Sequence, residues 1–178
     1  MKKSPQYSVK QKTIHWLTAI LVFIIIVFSL MRTSVAQYVG GMGTLFTIHK
    51  SFGVMIFFIT LWRIYVIIKQ GVPEVLPKDE RLQRIVSKSV QGILYLLLLI
   101  LPLSGYLMSS RPLNFLGIIS IPAIEMPNTF YGFFHSVHII TAYALIALIA
   151  LHMFAALYHH FWVKDKVLKS MLPERWFD

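Results

Sequence analysis

Residues 133–163 read FFHSVHIITAYALIALIALHMFAALYHHFWV, and the fold turns on how this stretch is read. It carries no acidic residue, no lysine and no arginine. A helix needs about 20 apolar residues to cross the hydrocarbon core of a bilayer. This run is longer, so part of it must extend beyond the hydrocarbon. Lipid offers the backbone no hydrogen-bond partner, so a run this continuous satisfies itself as a helix. Three more apolar runs precede it, at 14–31, 45–68 and 90–108. The expected fold is all-α and integral to a membrane: a four-helix transmembrane bundle filling residues 1–178 as a single domain.

The composition agrees. The 178 residues are 57% hydrophobic, with a mean hydropathy of +0.68. A soluble domain sits near half apolar, without such clustering. There is no cysteine, which excludes disulfides, cysteine-held iron–sulfur clusters and thioether attachment of a haem. The formal charge is +10. Because the charges flank the apolar runs, they read as membrane orientation signals; no soluble basic module is visible to bind nucleic acid.

Lysine and arginine set the orientation. The N-terminal tail carries Lys2, Lys3, Lys10 and Lys12. The second loop and its flanks carry Arg63, Lys69, Lys78, Arg81, Arg84 and Lys88, and the C-terminal tail Lys164, Lys166, Lys169 and Arg175. The other side has only Arg32, Lys50 and Arg111. This bias places both termini and the second loop in the cytoplasm. The first run is expected to be retained, because no small-residue cleavage site follows it and Phe28-Ser29-Leu30-Met31-Arg32 is a poor one. Gly71, Pro73 and Pro77 punctuate the second loop. Pro102, with Gly105 nearby, should kink the third helix. The third loop, 109–132, holds Pro112, Pro122 and Pro127 and is expected to be irregular or to contain short helix.

Seven histidines lie in or beside the spans: His15, His49, His135, His138, His152, His159 and His160. An ionisable group at membrane depth is costly and usually faces the bundle interior. On a 3.6-residue wheel, His138 and His152 fall about 40° apart around the axis and about 21 Å apart along it. They form two sites on one face at different depths. With the topology above, His49 and His138 lie in the outer half, His15 and His152 in the inner half. The natural pairs are therefore His49 with His138 and His15 with His152.

Two imidazole pairs at two levels suit two six-coordinate haems of b type. A porphyrin is a broad plate and needs a cleared helix surface beside its ligand. The residue at i+4 lies one turn away on the same face. Those residues are Ala19, Gly53, Ala142 and Ala156, all small, although Gly and Ala are a small minority of this chain. The other histidines have Ile139, Val163 and Lys164 at i+4. A lone intramembrane histidine is more often a hydrogen-bonded core residue, and small residues also let helices approach; it is the paired constellation that points to a cofactor. A zinc or copper site competes, but it needs ligands at one depth, and no carboxylate accompanies these histidines in the spans. A proton relay is the other competitor.

Basic residues at the membrane boundary would meet haem propionates: Arg63 at the inner level, Lys50 and Arg111 at the outer. The latter two could equally attract an anionic substrate from outside; plain interfacial snorkelling is the alternative for each. His159 and His160 lie beyond the inner pair, where a histidine can supply a hydrogen bond and a proton to a quinone. Trp16, Trp62 and Trp162 read as interfacial belt residues, and Trp176 as a surface one.

Several motifs carry a resemblance. Ile14-His15-Trp16 comes early, and Ile48-His49-Lys50-Ser51-Phe52-Gly53 opens the second run. Leu101-Pro102-Leu103-Ser104-Gly105 lies in the third. His138, Ala150-Leu151-His152 and Ala155-Ala156-Leu157-Tyr158-His159-His160-Phe161-Trp162 follow, then Lys164-Asp165 and Met171-Leu172-Pro173. Over almost its whole length the chain resembles the bacterial cytochrome b561 family. The resemblance implies a four-helix dihaem cytochrome of the bacterial inner membrane, with His15, His49, His138 and His152 as iron ligands. It also implies electron exchange with the quinone pool, and for similar proteins superoxide oxidation with the electron passed to ubiquinone. His159 corresponds to a position implicated in the quinone region. Many relatives carry a histidine where this chain has Gln91, so a role of that histidine does not carry over to this chain, while the implied ligation does.

The function expected is electron transfer from a periplasmic donor, favoured as superoxide, through an outer and an inner haem to ubiquinone. Lys50, Arg111 and His159 are the candidate catalytic residues, and Arg63 joins the four ligand histidines in holding cofactor. The alternatives are an electron-transfer subunit serving a dehydrogenase or hydrogenase, and a histidine-based metal transporter or sensor.

Overall fold

The computed structural model describes residues 6–76 and 80–172. Lys2, Lys3, Pro77, Lys78, Pro173, Arg175 and Trp176, which the sequence reading used, lie outside the described residues. Four long helices dominate: α1 (Val9–Leu30), α3 (Met42–Gln70), α4 (Arg81–Leu107) and α5 (Asn128–Tyr158). A short α2 (Arg32–Tyr38) follows α1, a two-stranded hairpin of β1 (Leu113–Phe115) and β2 (Ile119–Ile121) separates α4 from α5, and α6 (Val167–Met171) comes last. Four helices, the fourth extended to Val163, are long and apolar enough to cross a membrane. Each of the four apolar runs falls on one of them.

Local chemistry sets the ends. Ser8 opens α1 with a reciprocal cap: its Oγ accepts from Gln11 N at 3.2 Å, and Gln11 Oε1 accepts from Ser8 N at 3.0 Å. Gly71, at φ 73°, closes α3 and donates its N–H to Ile67 O, a conformation that disfavours a side chain. Every long helix begins before its apolar run, most of all α4, which starts at Arg81 rather than at 90. Polar residues such as Lys10, Gln11 and Gln83 continue the helix into the interface without adding hydropathy.

The third loop departs from expectation. In place of irregular chain or short helix it forms an antiparallel hairpin, with Leu113 paired to Ile121 and Phe115 to Ile119. Leu116 and Gly117 both have positive φ (52° and 72°), and Ile118 N donates to Phe115 O at 2.9 Å. Two such residues give the tight turn whose twist matches paired strands. The hairpin docks on α3: Ser51 Oγ accepts from Leu116 N at 2.8 Å, and Leu113 is buried.

The core is a thin apolar seam of Leu21, Val22, Ile56, Leu98 and Leu145, joined by buried Thr18, Ser51, Thr60, Ser104 and Thr141. Small residues suit helix contacts in lipid because they allow close approach; Thr18, Ser51 and Ser104 also donate to carbonyls of their own helices, while Thr60 Oγ1 is buried without a hydrogen-bond partner among the described residues. Packing runs in series, α1 on α3, α3 on α4 and α4 on α5. Neither α1 nor α3 packs comparably on α5. One end of the bundle is tied by polar bonds. Gln11 Nε2 donates to Gly71 O at 2.8 Å, Lys12 Nζ to Leu172 O at 2.9 Å, and Trp16 Nε1 to Met171 O at 2.9 Å. The start of α1, the end of α3 and α6 therefore share one end.

Candidate functional site

Histidines bridge the helices that lack extensive packing on one another. His49 on α3 faces His138 on α5 with ring centroids 6.2 Å apart. His15 on α1 faces His152 on α5 with centroids 6.4 Å apart. The structure thus brings together both pairs expected from depth and helical phase, at two levels along α5. Imidazole nitrogens bond metals at about 2 Å, so two rings on opposite sides of one iron have centroids about 6 Å apart. Both separations fit that spacing, and both lie where the helices stand apart.

Hydrogen bonding fixes the outer pair's tautomers. Ser29 Oγ donates to Ile25 O at 2.7 Å, so toward His49 Nδ1, 3.2 Å away, it can only accept. His138 Nδ1 lies 3.0 Å from Leu101 O, a carbonyl that only accepts. Ser104 Oγ, 3.4 Å from the same nitrogen, gives its own proton to Leu101 O. In both histidines the proton must sit on Nδ1, leaving the Nε2 lone pair free. A metal-bound histidine is usually oriented in this way, through its second nitrogen. The inner pair differs: His15 Nδ1 is buried without a hydrogen-bond partner among the described residues.

Space around the outer pair is made by glycine. A β-carbon on Gly105 would lie 3.0 Å from His138 Cε1 and 3.1 Å from Nδ1. Only the missing side chain lets α4 pass this close to the imidazole. On Gly53 it would meet only Pro102 Cβ, at 3.9 Å. Gly105 is therefore the tighter constraint, and sequence reading assigned it only to a kink. The signal was available in Ser104-Gly105, a small pair one turn from Leu101, but only a tertiary contact gives it meaning.

The charged candidates fall at both levels. Arg63 lies within electrostatic range of both His15 and His152. Its guanidinium stacks on the Tyr95 ring at 4.9 Å. No carboxylate pairs with it among the described residues. A small cavity of about 20 Å³ beside it is lined in part by Tyr7, Gln11, Gln91 and Tyr95. A half-buried guanidinium without an acid is a receptor for an anionic group. At the other level, Lys50 Nζ donates to Ser109 Oγ at 2.8 Å, and Arg111 lies close enough for the two cations to interact.

His159 and His160 sit on a π-helical turn, His159–Val163, that follows α5. Such turns concentrate at functional sites. His159 Nδ1 is paired with Asp165 Oδ2, a partner that sequence reading missed. His160 Nδ1 is buried without a partner among the described residues, and His135 is exposed on α5. Among the described residues, no three or more His, Cys, Asp or Glu side chains converge as a compact metal site. Trp16 is committed to its bond with Met171, while Trp62 lies under Lys10 Nζ at 5.4 Å and Trp162 stacks on Tyr158 at 6.0 Å.

Proteins of known family resemble this chain in sequence. The family model for prokaryotic cytochrome b561 matches residues 6–174. Cytochrome b561 homolog 2 of Escherichia coli (strain K12) is 30% identical, over 94% of this chain and 91% of its own length. The probable superoxide oxidase CybB of Yersinia pestis is 29% identical, over 96% and 97%. Cytochrome b562 of Cereibacter sphaeroides is 29% identical, over 98% and 100%.

Proposed function

The chain belongs to the prokaryotic cytochrome b561 family, a family of membrane electron-transfer proteins that implies b-type haem, and from this premise we propose that it is a dihaem cytochrome passing electrons across the bacterial inner membrane to ubiquinone. The observation that carries the reading is the doubled imidazole pair, with centroid separations of 6.2 and 6.4 Å at two levels of one helix. His49 and His138 hold the outer haem; His15 and His152 hold the inner. Bound haem supplies one-electron redox chemistry at iron. The protein supplies everything around it: two fixed tautomers at the outer level, Gly105 as the cradle of His138, and Arg63 as the partner of the inner propionates.

Orientation follows from charge. The end that unites the start of α1, the end of α3 and α6 is the lysine-rich one and faces the cytoplasm. Lys50 and Arg111 then form a basic mouth at the periplasmic end. Superoxide is the favoured electron donor there: it is a small anion, and a basic mouth raises its encounter rate. The name of the Yersinia pestis relative supports the same donor. At the cytoplasmic end, His159 is the hydrogen-bonding group for ubiquinone.

The test uses purified protein loaded with its native cofactors. The visible difference spectrum should carry b-type bands and analysis should give two haems per chain. Superoxide should drive quinone reduction at a rate that falls with salt. A preparation without iron porphyrin would overturn the reading. Quinone reduction that requires a co-purifying soluble redox subunit would replace superoxide with a protein donor.

A further inference from the structure

The contact between His159 and Asp165 has a chemistry of its own. Asp165 follows Lys164, whose left-handed backbone (φ 57°) ends the π-helical turn, and its own N–H donates to His159 O at 3.2 Å. The chain therefore bends back on itself at this point. Both carboxylate oxygens are used: Oδ1 accepts from Val167 N at 2.9 Å, and Oδ2 meets His159 Nδ1. Facing a carboxylate, Nδ1 must carry a proton. The remaining nitrogen, Nε2, then has only two states. In neutral His159 it is an acceptor; in the imidazolium, balanced by the Asp165 charge, it is a proton donor.

We propose that Asp165 is the positioning residue of a His159–Asp165 proton-transfer pair that serves the quinone; this rests on the function proposed above. The imidazolium donates Nε2–H to a quinone oxygen. When the quinone has taken up two electrons, one from each of two molecules of the one-electron donor, the proton crosses to that oxygen. His159 is left neutral, its Nδ1–H still on Asp165; hydronium from the aqueous phase supplies the second proton of the quinol and another that restores the imidazolium. The elements around His159 also carry His160 on the same turn, Lys164 and Lys166 flanking Asp165, and Lys169 on α6. Asp165 is the acidic member of this group, so it is the one that balances the imidazolium.

The substitution Asp165→Asn separates this role from simple packing. Val167 N–H can only donate, so the Asn oxygen stays with it. The amide nitrogen is then turned toward His159 Nδ1, which must accept and shift its proton to Nε2. Neutral His159 still offers Nε2–H as a hydrogen bond to the quinone, but releasing that proton would leave an imidazolate. Positioned acid–base groups contribute roughly 100-fold or more to rate, and a wrong histidine tautomer removes that contribution. In the haem-loaded protein, Asp165→Asn should keep the difference spectrum and the KM for a short-chain ubiquinone analogue while kcat falls about 100-fold. Nitrogen NMR of histidine-labelled protein should show one side chain changing tautomer. Asp165→Glu should recover part of kcat. Wild-type kcat in Asp165→Asn, or an unchanged tautomer, would overturn the proposal. Quinone reduction absent from the haem-loaded wild type would instead overturn the functional reading, while the tautomer signal would still report the pair.

Discussion

Gly105 of α4 and His138 of α5 stand so close that a β-carbon on the glycine would lie 3.0 Å from the imidazole. That is tighter than nine in ten contacts that real β-carbons make, so the neighbour must give. Gly105→Ala must therefore push the His138 ring by a few tenths of an ångström, away from Leu101 O and off its line to His49. The expected outcome is weakened or lost outer haem with the inner haem retained. Haem-to-protein ratio and the difference spectrum check it; full occupancy with an unaltered spectrum would show that the ring tolerates the shift.

Ligand removal should divide the cofactors by level. His49→Ala or His138→Ala should lower the content from two haems per chain to one, and His15→Ala or His152→Ala should do the same for the other haem. Combining substitutions from the two levels should leave none. A single variant that loses both haems while remaining folded would contradict independent sites.

On the ligation proposed above, Ser29 tunes the outer level through its bond to His49. An acceptor on Nδ1–H makes the ligating imidazole more basic and favours oxidised iron. Ser29→Ala should raise the outer midpoint potential and leave the inner one in place. One neutral hydrogen bond is worth about 1 kcal/mol, or about 40 mV for one electron. Redox titration followed in the visible region measures it. A downward shift would reverse the assigned donor and acceptor.

The basic mouth makes a kinetic prediction. Lys50→Gln and Arg111→Gln should each slow electron entry from superoxide, together by about tenfold at low salt, because steering terms are of that order. Both variants should flatten the salt dependence and keep the midpoint potentials. Stopped-flow reduction across ionic strength distinguishes this from damage to the outer haem.

Hydropathy made the spans legible because lipid demands long apolar runs. It missed the polar helix ends at Arg81 and Val9, where water replaces lipid and propensity and caps decide. The hairpin was missed because its turn needs positive φ at Leu116 as well as Gly117, and leucine gives no such cue. The meeting of His49 with His138 and of His15 with His152 was legible because helical phase and depth fix angle and height together. Their partners were not. Ser29, Gly105 and Asp165 act through neighbours on another helix or across a π-helical turn, and an ideal 3.6-residue wheel carries no trace of either.

Both imidazole pairs draw one member from α5, and α5 begins only at Asn128. During synthesis, α1 and α3 enter the bilayer carrying His15 and His49 before their partners on α5 exist. On the function proposed above, a nascent chain without α5 offers each haem one imidazole in place of two. On that reading, completion of both centres waits for insertion of the last span, so a prematurely terminated product would hold neither complete imidazole pair.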